Sequence, residues 1–191
     1  MKLYSTLILI FIFKLSGAQN YIPLPFGEAR WMETEYSMIG PGMDFSYGYF
    51  SMDTTTYTYF GHPYHQIEMI KDSVYNLANK QSSQYIFDDT ANRKVYLKSG
   101  TERLLYDFSK NIGDTIFNVY CSSSFDTALR IDSIASVNFH GINRRVFFLS
   151  NILMMPPNPP TVWIEGLGSH AGLFRNIFHC TPSDPYWSLD C

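Results

Sequence analysis

Charge, cysteine and long apolar runs are all scarce in this sequence. Only 16% of its 191 residues are charged, and no basic run exceeds Arg144-Arg145. Nucleic-acid binding needs clustered lysine and arginine to neutralise phosphates, so the sequence argues against that class of partner. The longest uninterrupted apolar run, Leu7 to Phe13, is far shorter than the roughly 20 residues a membrane-spanning helix requires. No transmembrane segment is expected in the mature chain. There are three cysteines, Cys121, Cys180 and Cys191. A chain of this size buries enough of its own surface to fold without staples.

The first of these runs still carries information. Lys2, an apolar stretch to Leu15 and small residues at Ser16-Gly17-Ala18 match a secretory signal peptide, with cleavage after Ala18. Residues 1–18 are therefore expected to be removed, leaving a single domain over 19–191 in a secreted protein: periplasmic, cell-surface or extracellular. With Lys2 and Lys14 in the leader, the rest keeps 12 of the 14 basic residues and all 17 acidic ones, a net charge of −5. Export into an oxidising compartment permits disulfides. Cys180 and Cys191 flank the turn-rich TPSDPYWSLD, and this spacing predicts that they pair. Closing so short a loop contributes about 3 kcal/mol in the chain-entropy model. Cys121 is then left over as a buried thiol, a small hydrophobe.

Aromatic residues are abundant: 14 Tyr, 15 Phe and 3 Trp. Aromatic and β-branched side chains suit a half-buried pleated surface. Thr54 to Phe60 alternates threonine with aromatics, Gly61-His62-Pro63 turns, and Tyr64 to Ile70 returns. Gln84–Phe87, Lys94–Lys98 and Arg103–Phe108 follow, with polar or glycine turns between them. In the last of these, Leu104, Tyr106 and Phe108 are expected on one face and Leu105 and Asp107 on the other. Ile131–Phe139 and Ile142–Leu149 form a further hairpin around His140-Gly141. The rhythm predicts an all-β fold, an antiparallel meander of hairpins making a curved sheet, barrel or sandwich. Asp53–Ile70 and Asp132–Leu149 align at an offset of 79 as two similarly patterned hairpins. Ser73–Gln81 is the best helix candidate. Met155–Pro160 (MPPNPP) reads as a stiff polyproline-like connector.

Three stretches carry a family resemblance. "QNYIPLPFGEARWME" (19–33), "DDTANRKVYLKSGTERLLYDFSKNIGDTI" (88–116) and "WIEGLGSHAGLF" (163–174) resemble a group of secreted Bacteroidetes proteins of unassigned function. In the last stretch Trp163, Glu165, Gly166, Gly168, Ser169 and Gly172 match. Many members continue into a type IX secretion sorting domain, which this chain does not show. The resemblance implies export and transfers no activity, so no functional residue follows from it.

The tempting sites fail on spacing. A serine-hydrolase elbow needs Gly-x-Ser-x-Gly, whereas Ser169 has glycine at −1 and +3. A phosphate loop needs glycines feeding a helix and a following lysine, and no lysine is present. The glycines are read instead as positions of positive φ or close backbone approach. His62 and His65 stand three apart, on opposite faces of a strand, and His170 and His179 add no local support for a metal. Asp88-Asp89 with Asn92 is turn chemistry without the length of a calcium loop. Nothing places Asp107 beside Asp114 as a glycosidase pair. No catalytic, cofactor or metal residue is assigned. Tyr57 and Tyr59, within a region dense in tyrosine, are candidate rings for stacking on a glycan, against the plainer reading of a cross-strand ladder. The expected function is an exported, non-catalytic protein that binds a ligand or partner or contributes to the envelope. The alternatives are a secreted hydrolase whose site is assembled from distant strands, and a dedicated glycan-binding module.

Overall fold

A computed structural model of the protein describes residues 20–27, 30–37, 44–71, 80–121, 127–153, 160–174 and 187–190. Residues 1–18, the 155–159 part of the proline-rich connector, His179, Cys180 and Cys191 lie outside them. The described residues are all-β. Twelve strands follow in chain order: Arg30–Ser37 (β1), Asp44–Tyr59 (β2), His62–Lys71 (β3), Lys80–Asp89 (β4), Lys94–Ser99 (β5), Thr101–Asp107 (β6), Thr115–Val119 (β7), Thr127–Phe139 (β8), Ile142–Asn151 (β9), Thr161–Ile164 (β10), Gly168–Ser169 (β11) and Trp187–Asp190 (β12). The helix expected at Ser73–Gln81 ends in strand instead, with Lys80 and Gln81 opening β4; residues 73–79 lie outside the described set.

Chain neighbours are sheet neighbours almost throughout. The order is β11-β10-β9-β8-β7-β6-β5-β4-β3-β2-β1-β12, a meander with β12 added beside β1. Pairing is antiparallel except for one parallel bridge, Leu104 with Val119. Among the described residues no ladder joins the two ends, so the sheet is not closed into a barrel. Its margins meet through side chains. The Trp31 indole on β1 donates to the Leu167 carbonyl beyond β10, at 2.9 Å. Phe50 on β2 meets Phe174 edge to face, at 5.4 Å. The rolled sheet encloses one apolar cluster to which every strand from β1 to β10 contributes, with Trp163, Tyr106, Phe108 and Phe147 at no measurable exposure.

The turns of the β2–β3 and β8–β9 hairpins are two residues long. Phe60-Gly61 (φ 53° and 81°) and His140-Gly141 (φ 50° and 82°) both place two successive residues in the left-handed region. That is the turn whose twist matches paired strands. It shortens the first expected turn, since His62 and Pro63 already belong to β3. It also equates the two hairpins at an offset of 80 rather than 79.

Bulges decide which side chains face the core. Val95 pairs with Tyr106 but Tyr96 pairs with Leu104, leaving Leu105 as the extra residue. A single extra residue reverses the alternation beyond it. Tyr106 thus joins Val95 on the core face while Leu104 shares the opposite face with Tyr96. This corrects the expectation that Leu104 and Tyr106 share a face. Leu105, Tyr106, Asp107 and Phe108 are buried in succession.

Cys121 sits in the apolar cluster, 2% exposed, and its sulfur is disulfide-bonded. This corrects its expected role as a leftover thiol. The pairing of Cys180 with Cys191 expected from spacing falls outside the described residues.

Candidate functional site

The outer face of β2 to β5 carries the densest side-chain chemistry at the surface. Cross-strand register puts it there. Tyr57 pairs with Tyr64 and Tyr59 with His62. Tyr85 pairs with Lys98 and Phe87 with Tyr96. Each set shares one face because paired residues of antiparallel strands point the same way. Tyr59 meets Tyr85 at 5.1 Å and Tyr57 meets Tyr85 at 5.3 Å, both edge to face. Phe87 lies between His62, stacked at 4.6 Å, and Tyr96, stacked at 6.1 Å. Lys98 holds its ammonium 4.3 Å from the Tyr59 ring centre and 5.1 Å from that of Tyr85. At this range a cation is attracted by the ring faces.

This face has a floor and a rim. Tyr64 is fully buried beneath Tyr59, Phe60 and Phe87, and its hydroxyl donates to Glu102. Burial, then the Glu102 contact, push that hydroxyl well above the ordinary phenol range. Tyr59 is also raised, first by its hydrogen bond with Tyr85. Tyr57, Tyr59, Tyr85, Phe87 and Tyr96 are half-buried, while Phe60 and His62 are exposed. Both glycan candidates, Tyr57 and Tyr59, therefore belong to this surface. Sequence reading missed Tyr85, Phe87, Tyr96 and Lys98. Only the pairing of β4 with β3 and of β5 with β4 brings them alongside.

"WIEGLGSHAGLF" lies elsewhere and is built into the interior. Trp163 and Glu165 have no measurable exposure. The Glu165 carboxylate receives Arg145 through both oxygens, at 2.7 and 3.1 Å. Arg145 also donates to the Phe108 carbonyl. Ser169 is buried, and its hydroxyl accepts the Ala171 amide at 3.1 Å. Its own amide donates to the Tyr106 hydroxyl, which donates on to the Leu173 carbonyl at 2.6 Å. Gly166 has φ +75°, and a Cβ added there would come within 2.2 Å of the Arg144 guanidinium and 3.0 Å of the Ile22 carbonyl. A side chain there would require Arg144 and Ile22 to move and would sit in a left-handed backbone that favours glycine. The serine and glutamate thus serve a turn and an ion pair that lock β10 and β11 to β6 and β9.

The other candidates are dispersed. His65 stacks on Phe26 at 4.0 Å, on the opposite face of β3 from His62. His170 is half-buried; burial lowers its pKa, against a hydrogen bond with Val162. Among the described residues no three His, Cys, Asp or Glu side chains gather as metal ligands. Asp107 accepts from Ser109, and Asp114 accepts the Asn111 amide at 2.9 Å, so each serves its own turn. Asp89 holds Asn92 in a tight turn.

Asp88 points the other way, into the structure, where it fastens the lead-in segment 20–27. One oxygen accepts the Tyr21 hydroxyl at 2.9 Å and the other the Leu24 amide at 2.8 Å. Burial raises its pKa from 3.8 to about 6, although both hydrogen bonds pull it down. The folded carboxyl then holds its proton more tightly than the unfolded one. Its contribution to stability is fully present below pH 3.8 and is lost as pH rises through about 6. The difference is up to about 3 kcal/mol. Urea midpoints at pH 4 and pH 7 should show this loss in the native protein, superimposed on the response of other groups. Asp88→Asn should remove the Asp88 part, and an identical pH response in the variant would refute it.

No family model, curated protein or solved structure matches the chain. No described helix is long and apolar enough to cross a membrane, which says nothing about crossing by strands.

Proposed function

We propose that this protein is an exported, non-catalytic binding module whose working surface is the outer aromatic face of β2 to β5 and whose ligand is a glycan. The observation that carries this reading is the tyrosine cluster of Tyr57, Tyr59 and Tyr85, ringed by Lys98, on the solvent side of the sheet. Sugar rings present C–H faces that pack on aromatic rings, while hydroxyls and an ammonium at the rim supply directed hydrogen bonds. Ser169, Glu165, Asp107 and Asp114 are each engaged in local structure, which supports a non-catalytic role. The leader at residues 1–18 and the resemblance to secreted Bacteroidetes proteins support export.

A glycan array followed by calorimetry on the best ligand tests the proposal. Replacing Tyr57 and Tyr59 together by alanine should weaken binding about tenfold, the loss of roughly 1.4 kcal/mol expected for lost ring contacts. Thermal midpoints checked in parallel should show both proteins folded at the assay temperature. An array without ligands, or binding untouched by the double substitution, would overturn the assignment.

A further inference from the structure

The β8–β9 hairpin extends beyond the body of the sheet. β7 follows β8 only from Thr127 to Arg130, and Asp114 and Gly113 close the contact at Ile131. From Ser133 to Phe139, β8 has β9 along one edge and no described strand along the other. Ser133, Ala135, Ser136, Val137 and Asn138 are exposed there, and Ile134 and Phe139 half-buried. Strands usually blunt such an edge with charge, proline or a bulge, because unpaired amides and carbonyls recruit another strand. The long β2 does so: a bulge between Met52 and Thr56 interrupts it, and the Asp53 side chain takes the Thr55 amide. Between Asp132 and Arg144, by contrast, there is no Asp, Glu, Lys, Arg or Pro.

We propose that this edge of β8 is a homodimer interface, pairing antiparallel with the same edge of a second copy of the chain. Self-complementarity selects this occupant. A two-fold axis at Ser136, the midpoint of the stretch, sets Ala135 opposite Val137 of the second copy and Ser133 opposite its Phe139. Beyond the bulge between Ile131 and Ser133, strand alternation puts these odd-numbered residues on one face, so Val137, 46% exposed in the single chain, gains an apolar neighbour. At the ends of the stretch Asp132, in the bulge with its carboxylate held by Arg130 and Ser150, comes near the exposed His140 of the second copy, an acidic group beside a ring that can donate. No like charges meet across the axis. Isologous pairing of this kind closes on itself and stops at two copies. The contact is small, so the affinity is expected in the micromolar range.

Sedimentation analysis of the mature chain from about 1 to about 200 µM tests this. The native protein should pass from monomer to dimer across that range. Ser136→Lys and Ser136→Glu should each weaken dimerisation about tenfold or more, because like charges then meet directly across the axis. An equimolar mixture of the two should restore dimers. Near-ultraviolet circular dichroism checks that each variant is folded, and either one alone still reads the axis. A native protein monomeric throughout, a Ser136 variant that dimerises like the native chain, or a mixture that stays monomeric would each overturn the proposal.

Discussion

Replacing Glu165 by alanine is expected to cost the fold about 3 to 5 kcal/mol, the range for removing one partner of a buried ion pair. The carboxylate has no measurable exposure, and the Arg145 side chain opposite it is only 17% exposed. Alanine leaves the guanidinium largely out of water, with the Phe108 carbonyl and the Phe147 ring face as remaining contacts. Urea unfolding followed by tryptophan fluorescence should show the midpoint falling with little change in slope. Joining Glu165→Leu with Arg145→Met should recover much of the loss, because two apolar side chains carry no unpaired charge into the interior. If Glu165→Ala costs less than about 1 kcal/mol, the pair is as weak as an exposed one, and its locking role fails.

Trp163→Ala is expected to cost about 3 to 5 kcal/mol by a different route, the cavity left by a large core ring. Trp163 is wholly buried. It stands perpendicular to Tyr106 at 5.1 Å and packs edge to face with Phe108 at 6.1 Å. The residues around it are anchored by the Tyr106 hydroxyl, which bridges Ser169 and Leu173, so the site cannot collapse freely. The near-ultraviolet dichroism of the remaining aromatics should weaken while the far-ultraviolet spectrum keeps its strand signature. A variant within about 1 kcal/mol of the native protein would show that the core relaxes around the gap.

The two substitutions also mark how far the sequence could be read. Trp163 and Glu165 stood out because they accompany three glycines, but their partners are distant. Arg145 is 20 residues from Glu165, and Tyr106 is 63 residues from Ser169. Tyr57 and Tyr59 were visible as a local alternation. Lys98 and Tyr85 were not, since they join the surface only through the register of β4 on β5. The charge-free edge of β8 was equally present in the sequence, but its exposure depends on where β7 stops.

Two-residue periodicity and the glycine corners determined the all-β class and most of the meander, because alternation and turn preference are properties of neighbouring residues alone. Tertiary structure decided which alternating set faces inward, since one extra residue at Leu105 or beyond Ile131 inverts the faces without disturbing the pattern. It also decided that the sheet curls until Trp31 reaches Leu167, 136 residues away. Local pattern cannot fix that contact: it follows from the summed twist of the intervening strands and from the drive to bury one shared apolar face.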